Sequence, residues 1–281
     1  MHTDRQALSA VLLIGAVQIL AINVTRADDL KIRLMSSGVA EVKEREFHEF
    51  AEIDFALPDD GSQCKLVAPK TAAPGNPWVW RARFWDHEPE FDVAMLKHGY
   101  HLAYCDVVEL WGAPKAVARW DKFYRLAQKV GLGPKPVLEG MSRGGTYIVN
   151  WAKANPTRVA AIYGDNPFLD LRVFPSNTPE VRAMRQQMLE SYGITDAELP
   201  TFTGGPIDGL EALAKARVPV FFVLGAKDDV VPITKHADVF EARYKALGGP
   251  VRRWVKPDDG HHPHGLHPVD PLVQAVLDAA K

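Results

Sequence analysis

Gly140-Met141-Ser142-Arg143-Gly144-Gly145 stands between a strand-like run, Pro136-Val137-Leu138-Glu139, and a helical run over 146–155 that Pro156 ends. A bare G-x-S-x-G match arises often by chance. In a strand-to-helix turn the pattern has a mechanical reason. The serine is forced into a strained conformation that exposes its hydroxyl, and glycines on either side let strand and helix approach. The amino terminus of the helix then lies behind the serine. The Arg143 amide is thereby aimed where negative charge develops on an attacked carbonyl.

Outward from this turn, strand-like runs fall at 47–57, 64–68, 78–84, 101–107, 136–139, 159–163, 218–224 and 251–255. The first two flank Pro58-Asp59-Asp60-Gly61 and form an antiparallel hairpin. The others alternate with helix-length segments near 87–98, 115–130, 144–155, 207–216 and 233–247. Such alternation predicts an α/β fold: a mostly parallel, eight-stranded sheet with helices on both faces and right-handed crossovers. After the sixth predicted strand a long connection, about 168–209, breaks the rhythm. It contains Thr178-Pro179-Glu180, a capping residue before a helix-initiating proline, and a helix reaching about Ser191 before Gly193. Placed at the carboxyl edge of the sheet, this insertion is expected to overhang a ligand site as a small lid.

A serine hydroxyl needs a base to remove its proton, and the base needs a carboxylate to orient it. Two downstream segments offer both. Gly225-Ala226-Lys227-Asp228-Asp229-Val230-Val231-Pro232 follows the seventh predicted strand, and Pro257-Asp258-Asp259-Gly260-His261-His262-Pro263-His264 follows the eighth. The histidine-rich turn also admits a metal reading through His261, His262, His264 and His267. No carboxylate or cysteine of recognised spacing accompanies it, so no metal and no cofactor is expected.

In these motifs the sequence resembles the α/β-hydrolase superfamily over nearly all of its length. Members commonly carry G-x-x-D-x-x-V-P after strand seven, matched from Gly225 to Pro232, and a Gly-His pair after strand eight, matched by Gly260-His261. The resemblance implies the chain order Ser142, Asp228, His261 for a catalytic triad. It leaves Asp229 as a solvated loop residue, puts Asp165, after the sixth strand, where some members place the acid, and leaves His262 as the other candidate for the base. Two features depart from the lipase pattern. No His-Gly-Gly run follows strand three, where the chain reads Trp80-Arg81-Ala82-Arg83-Phe84-Trp85, so an amide of Arg83 or Phe84 would supply the second oxyanion donor. The residue after the serine is arginine, as in the Gly-Cys-Ser-Arg motif of glucuronoyl esterases. A guanidinium there can bind an oxyanion or a substrate carboxylate, or can simply pack on the helix surface. The activity implied is hydrolysis of carboxylic esters, with sugars or sugar acids as one possible substrate class. The alternatives are a peptidase of the prolyl oligopeptidase type and a non-catalytic exported domain that binds a glycan or lipid.

The ends and the composition bound the rest. Arg5 precedes an apolar run over 7–22, and Thr25-Arg26-Ala27 places small residues at −3 and −1 of a cleavage site, so residues 1–27 read as a signal peptide of a secreted or periplasmic protein. The run is shorter than the ~20 residues that span a bilayer, so no stable membrane insertion is expected after cleavage. The remainder, 28–281, reads as a single domain. With 33 Lys and Arg against 35 Asp and Glu, the chain has no basic excess to attract nucleic acid. Cys64 and Cys105 both fall in predicted strands, where buried free thiols are commoner than a bridge. Trp78, Trp80, Phe84 and Trp85 read as core and cleft wall rather than as a sugar platform.

Overall fold

A computed structural model describes residues 26–280. The apolar run of the signal-peptide reading lies outside the described residues. Among the latter no helix is long and apolar enough to cross a membrane.

The chain forms helix α1 (Arg26–Ser36) and then three antiparallel strands, β1 (Val42–Phe47), β2 (Phe50–Ala56) and β3 (Gln63–Ala68). Six more strands follow: β4 (Trp78–Arg81), β5 (His101–Cys105), β6 (Val137–Met141), β7 (Ala161–Asp165), β8 (Val220–Gly225) and β9 (Val251–Lys256). Helices α2 (Glu90–Lys97), α3 (Pro114–Lys129), α4 (Gly144–Ala154), α5 (Pro179–Tyr192), α6 (Glu211–Lys215), α7 (Ala237–Ala246) and α8 (Asp270–Ala279) connect and flank them. The sheet order is β1-β2-β3-β5-β4-β6-β7-β8-β9, parallel from β5 onward.

The sheet therefore has nine strands rather than eight. The additional one, β1, reads Val-Lys-Glu-Arg-Glu-Phe and is charged on both faces, so it lacks the alternation that marks a half-buried strand. An edge tolerates such a sequence, and it is held by opposite charges across the pair: Lys43 faces Asp54, Arg45 faces Glu52, and Arg45 Nε reaches Asp54 Oδ2 at 2.6 Å. The first predicted strand ran through a turn at His48, whose φ of 53° reverses the chain. Likewise β4 stops at Arg81 rather than at residue 84, because the chain enters the left-handed region at Phe84.

The central strands β6, β7 and β8 are buried at every position, as expected for strands covered on both faces. One face carries Trp78 and Trp80, both fully buried, with Trp80 stacked 4.2 Å from Trp120 and set edge-on to Trp151. The other face carries Val79, Val137, Tyr163 and Phe221 against α2 and α8. Of the aromatic stretch, Trp78 and Trp80 are thus core. Cys64 and Cys105 are direct cross-strand partners on β3 and β5, buried as free thiols.

The long connection between β7 and β8 holds α5, capped by Thr178, whose hydroxyl accepts the Val181 amide. Three bonds fix α5 to the turn before α3: Trp111 Nε1 to Gln187, Tyr192 OH to the Trp111 carbonyl, and Ser191 Oγ to the Glu109 carbonyl. A small apolar cluster including Trp111, Phe168, Met188 and Val231 joins it to the sheet's carboxyl edge.

Candidate active site

Ser142 sits at the junction of β6 and α4 with φ of 48°, a conformation that costs a non-glycine residue about 1–3 kcal/mol and persists only when its surroundings fix it. The fixing bonds are present. Its amide donates to the Asp165 carbonyl at 2.8 Å, and its carbonyl accepts from the Phe168 and Gly145 amides at 2.7 and 3.0 Å. A Cβ at Gly140 would lie 2.5 Å from the Gly144 carbonyl, so the first glycine of the motif is sterically required. At Gly144 a Cβ would meet only ordinary contacts. The tight position on the helix side is Gly145, where a Cβ would press on Pro167 at 2.5 Å.

The turn after β8 delivers Asp228. Its Oδ1 accepts the amides of Val230 and Val231 at 2.9 and 2.7 Å, leaving Oδ2 for His261 Nδ1 at 2.7 Å. Burial alone would push this carboxyl upward. The hydrogen bonds from His261 and the Val231 amide outweigh it and hold Asp228 below the usual carboxylate range. A carboxylate can only accept, so His261 Nδ1 donates and Nε2 keeps its lone pair, 3.0 Å from Ser142 Oγ. Ser142, His261 and Asp228 are therefore joined in one unbroken relay. The His261 backbone is held by Asn166, whose amide group donates to the His261 carbonyl at 3.0 Å while its Oδ1 accepts the Gly225 amide at 2.7 Å.

The competing candidates go elsewhere. Asp229 is exposed. Asp165 is buried and faces a different histidine: its Oδ1 takes His264 Nδ1 at 2.6 Å, and its Oδ2 takes the Gly265 amide and the Tyr163 hydroxyl, each at 2.8 Å. His262 is exposed beside His261 and bonded to neither acid. Of the four histidines in the metal reading, His261, His262 and His264 converge, whereas His267 stands outside every such group among the described residues.

Arg81 is the residue that sequence reasoning missed. Buried at the end of β4 between Asp92 and Glu139, it directs its remaining donors at the carbonyls of Arg83, Phe84 and His87. A carbonyl held on Arg81 turns the next amide the opposite way across the trans peptide. The Phe84 amide thus faces away from Arg81 and has no hydrogen-bond partner among the described residues, like that of Arg143. A guanidinium buried against two acids was visible in sequence only as one more arginine in an aromatic stretch.

Arg143 does not pack on the helix surface. Its guanidinium lies 4.9 Å over the Trp111 ring and makes no ion pair among the described residues, and burial, followed by the nearby Arg83 charge, pushes it below its ordinary pKa. Arg83 lies over the Phe84 ring at 4.6 Å with its Nε and Nη1 buried and unpartnered. A cavity of about 250 Å³ opens on Ser142, His261 and Arg143. Its walls are mostly apolar, with Phe84 and Trp111 together with Phe168, Phe174 and Met184 from the connection after β7, and His87, His262 and His264 complete the lining.

No family model matches the chain, and no curated protein does. Solved structures match its fold. Acetyl xylan esterase 1 from Thermoanaerobacterium sp. aligns over 90% of this chain and 94% of its own, with TM-score 0.56 and 19% identity. An acetyl xylan esterase from Paenibacillus sp. aligns over 90% and 92%, with TM-score 0.58 and 15% identity. A puromycin-hydrolyzing peptidase of Mycobacterium tuberculosis aligns over 77% of this chain, with TM-score 0.59 and 16% identity. The chain spans only about a third of that peptidase, 36% of its length. The fold is the α/β-hydrolase fold, as the motifs implied.

Proposed function

We infer that this chain is an exported serine hydrolase that cleaves carboxylic esters. The observation that carries the reading is the unbroken relay from Ser142 Oγ through His261 to Asp228, at 3.0 and 2.7 Å, opening on a cavity. Ser142 attacks the ester carbonyl while His261 Nε2 takes the hydroxyl proton, and Asp228 stabilises the imidazolium so formed. The oxyanion of the tetrahedral intermediate is received by the Arg143 amide at the start of α4 and, from the loop that Arg81 holds, by the Phe84 amide in preference to that of Arg83. His261 then returns the proton to the leaving alcohol, and water attacks the acyl-enzyme with His261 again as base. No step needs a metal or a cofactor.

The substrate class follows from the cavity. Its volume suits a short acyl group, and its apolar walls offer little to a charged chain apart from one cation. That cation, Arg143, has no acid partner and is well placed for a sugar hydroxyl or the carboxylate of a sugar acid. Similarity to two acetyl xylan esterases over nearly their whole length favours esters of carbohydrates over peptides. Export rests on the basic and apolar amino-terminal segment alone.

Hydrolysis of a panel of aryl acetates, longer acyl esters, acetylated sugars, methyl uronates, feruloyl esters and N-acylated amino-acid amides tests the reading. Cleavage of acetyl or uronate esters with negligible amide cleavage is expected. Preference for the amides would replace it with the peptidase reading. Failure of a serine-directed phosphonate to label Ser142 would replace it with a non-catalytic binding domain for a glycan or lipid.

A further inference from the structure

Three imidazoles gather beside the nucleophile, and the triad uses one. The ring centroids of His261, His262 and His264 are 4.8 to 5.1 Å apart, and their nearest ligating atoms lie within 4.8 Å of one another. All three lie on the loop after β9. Two of them are backed in the same way. Asp228 takes the Nδ1 proton of His261 and Asp165 that of His264, so each ring turns a basic Nε2 away from its carboxylate. An imidazole whose other nitrogen donates to a buried carboxylate is the arrangement in which histidines bind transition metals, because it fixes the tautomer and raises the basicity of the ligating atom. His262 completes the set from the exposed side.

We propose that His261, His262 and His264 form a reversible binding site for a divalent transition-metal ion of the zinc class, and that occupation of this site switches the hydrolase off. Zinc lies about 2.1 Å from an imidazole nitrogen, so two ligating nitrogens of a tetrahedral ion are about 3.4 Å apart. The spacing observed, at most 4.8 Å, exceeds this by no more than about 1.4 Å. The fourth position stays open to water. The consequence for activity rests on the function proposed above. A metal ion on His261 Nε2 occupies the lone pair that otherwise takes the Ser142 proton 3.0 Å away, so the serine loses its base. No bond is made or broken beyond coordination, and a chelator reverses it.

A neighbouring set, His87, Glu88 and His262, brings its ligating atoms within the same spacing. It is the weaker site. His87 and His262 are exposed, and His87 meets Glu88 only at 3.8 Å, beyond the kind of hydrogen bond by which Asp165 orients His264 at 2.6 Å.

The test is zinc titration of the full chain by calorimetry, with cobalt(II) absorption as a second readout that needs no activity. One ion per chain at micromolar or tighter affinity is expected. His262→Ala, an exposed substitution that spares the core, and His264→Gln should each weaken binding at least about tenfold, and Asp165→Asn about ten- to a hundredfold. Cleavage of an aryl acetate should fall in step with occupancy and return with EDTA. No binding up to millimolar zinc overturns the site, as does binding that survives His262→Ala and His264→Gln or is lost in His87→Ala while His264→Gln is silent. Full occupancy with undiminished cleavage overturns the switch. Stoichiometric binding with the expected residue dependence, in a protein that cleaves no ester of the panel, upholds the metal site and overturns the hydrolase reading instead.

Discussion

Asp228–His261 and Asp165–His264 are two versions of one arrangement set side by side at the carboxyl edge of the same sheet. In each a buried carboxylate holds the Nδ1 of a buried histidine, at 2.7 Å in the first pair and 2.6 Å in the second. The difference lies in the other partners. Asp228 spends its second oxygen on two amides of its own turn, and its histidine meets Ser142. Asp165 spends its second oxygen on the Gly265 amide and Tyr163, fastening the histidine loop to β7, and its backbone carbonyl holds the Ser142 amide. A carboxylate-backed imidazole is thus not by itself a catalytic device. On the proposed function, the imidazole that moves a proton is the one whose free nitrogen faces Ser142.

The largest effect that can break this comparison belongs to the shared neighbour. Ser142→Ala should reduce ester turnover by about 10⁴- to 10⁶-fold with an unchanged thermal midpoint, since loss of the nucleophile removes the whole relay. A variant that keeps a tenth of the activity would show that the hydrolysis occurs elsewhere.

The two acids should then separate by kind of damage. Asp228→Asn leaves a neutral group that cannot stabilise the imidazolium, and turnover should fall about 10⁴-fold with modest change in stability. Asp165→Asn strikes the buried knot that pins residues 264 and 265 to β7. The expected loss is about 1–3 kcal/mol in urea unfolding, with turnover per folded molecule much less affected. If Asp165→Asn proves the worse catalyst after correction for folding, the acid has been misassigned.

The histidines sharpen the same point at a lower level. His261→Ala should lose at least about a thousandfold in turnover, whereas His262→Ala and His264→Ala should lose about tenfold or less in metal-free buffer. His264→Ala should also be the least stable of the three, because it leaves Asp165 buried with one partner fewer. A larger kinetic loss from His262→Ala would move the base by one residue.

Much of the first pair was legible in the sequence and little of the second. Gly140 to Gly145, Asp228 within Gly225 to Pro232, and Gly260-His261 each sit at or just beyond the carboxyl end of a strand, and the order of strands brings those ends together. Local pattern was enough. Asp165 and His264 are separated by 99 residues and share no motif, and only the packed loop reveals that they meet. The Arg81 clamp was hidden for the same reason, since its acids come from α2 and β6. Strand β1 escaped for a different one: an edge held by cross-strand charge has no hydrophobic period to read.

A third buried histidine lacks the carboxylate altogether and gives the smallest effect. His236 Nδ1 accepts the amides of Leu169 and Asp170, at 3.2 and 3.1 Å, so its proton is on Nε2, which is buried without a partner. Burial, opposed only in part by Asp170 and Asp228, pushes its pKa down to about 4 from the ordinary 6.5. The folded protein then holds His236 neutral while the unfolded chain protonates it, so the unfolded state binds more protons below pH 6.5 and stability is lost as pH falls from there towards 4. The full difference is worth about 3 kcal/mol. Denaturation midpoints in urea should therefore decline more steeply over that window in the wild-type protein than in His236→Gln, whose amide oxygen can still accept from the start of the connection after β7 but has no proton to gain. Asp228, held below the usual carboxylate range, adds its own loss at lower pH and does so equally in both proteins. Parallel slopes from pH 6.5 to 4 would mean that His236 is charged in the fold, and that an imidazole at this edge needs no carboxylate to carry a proton.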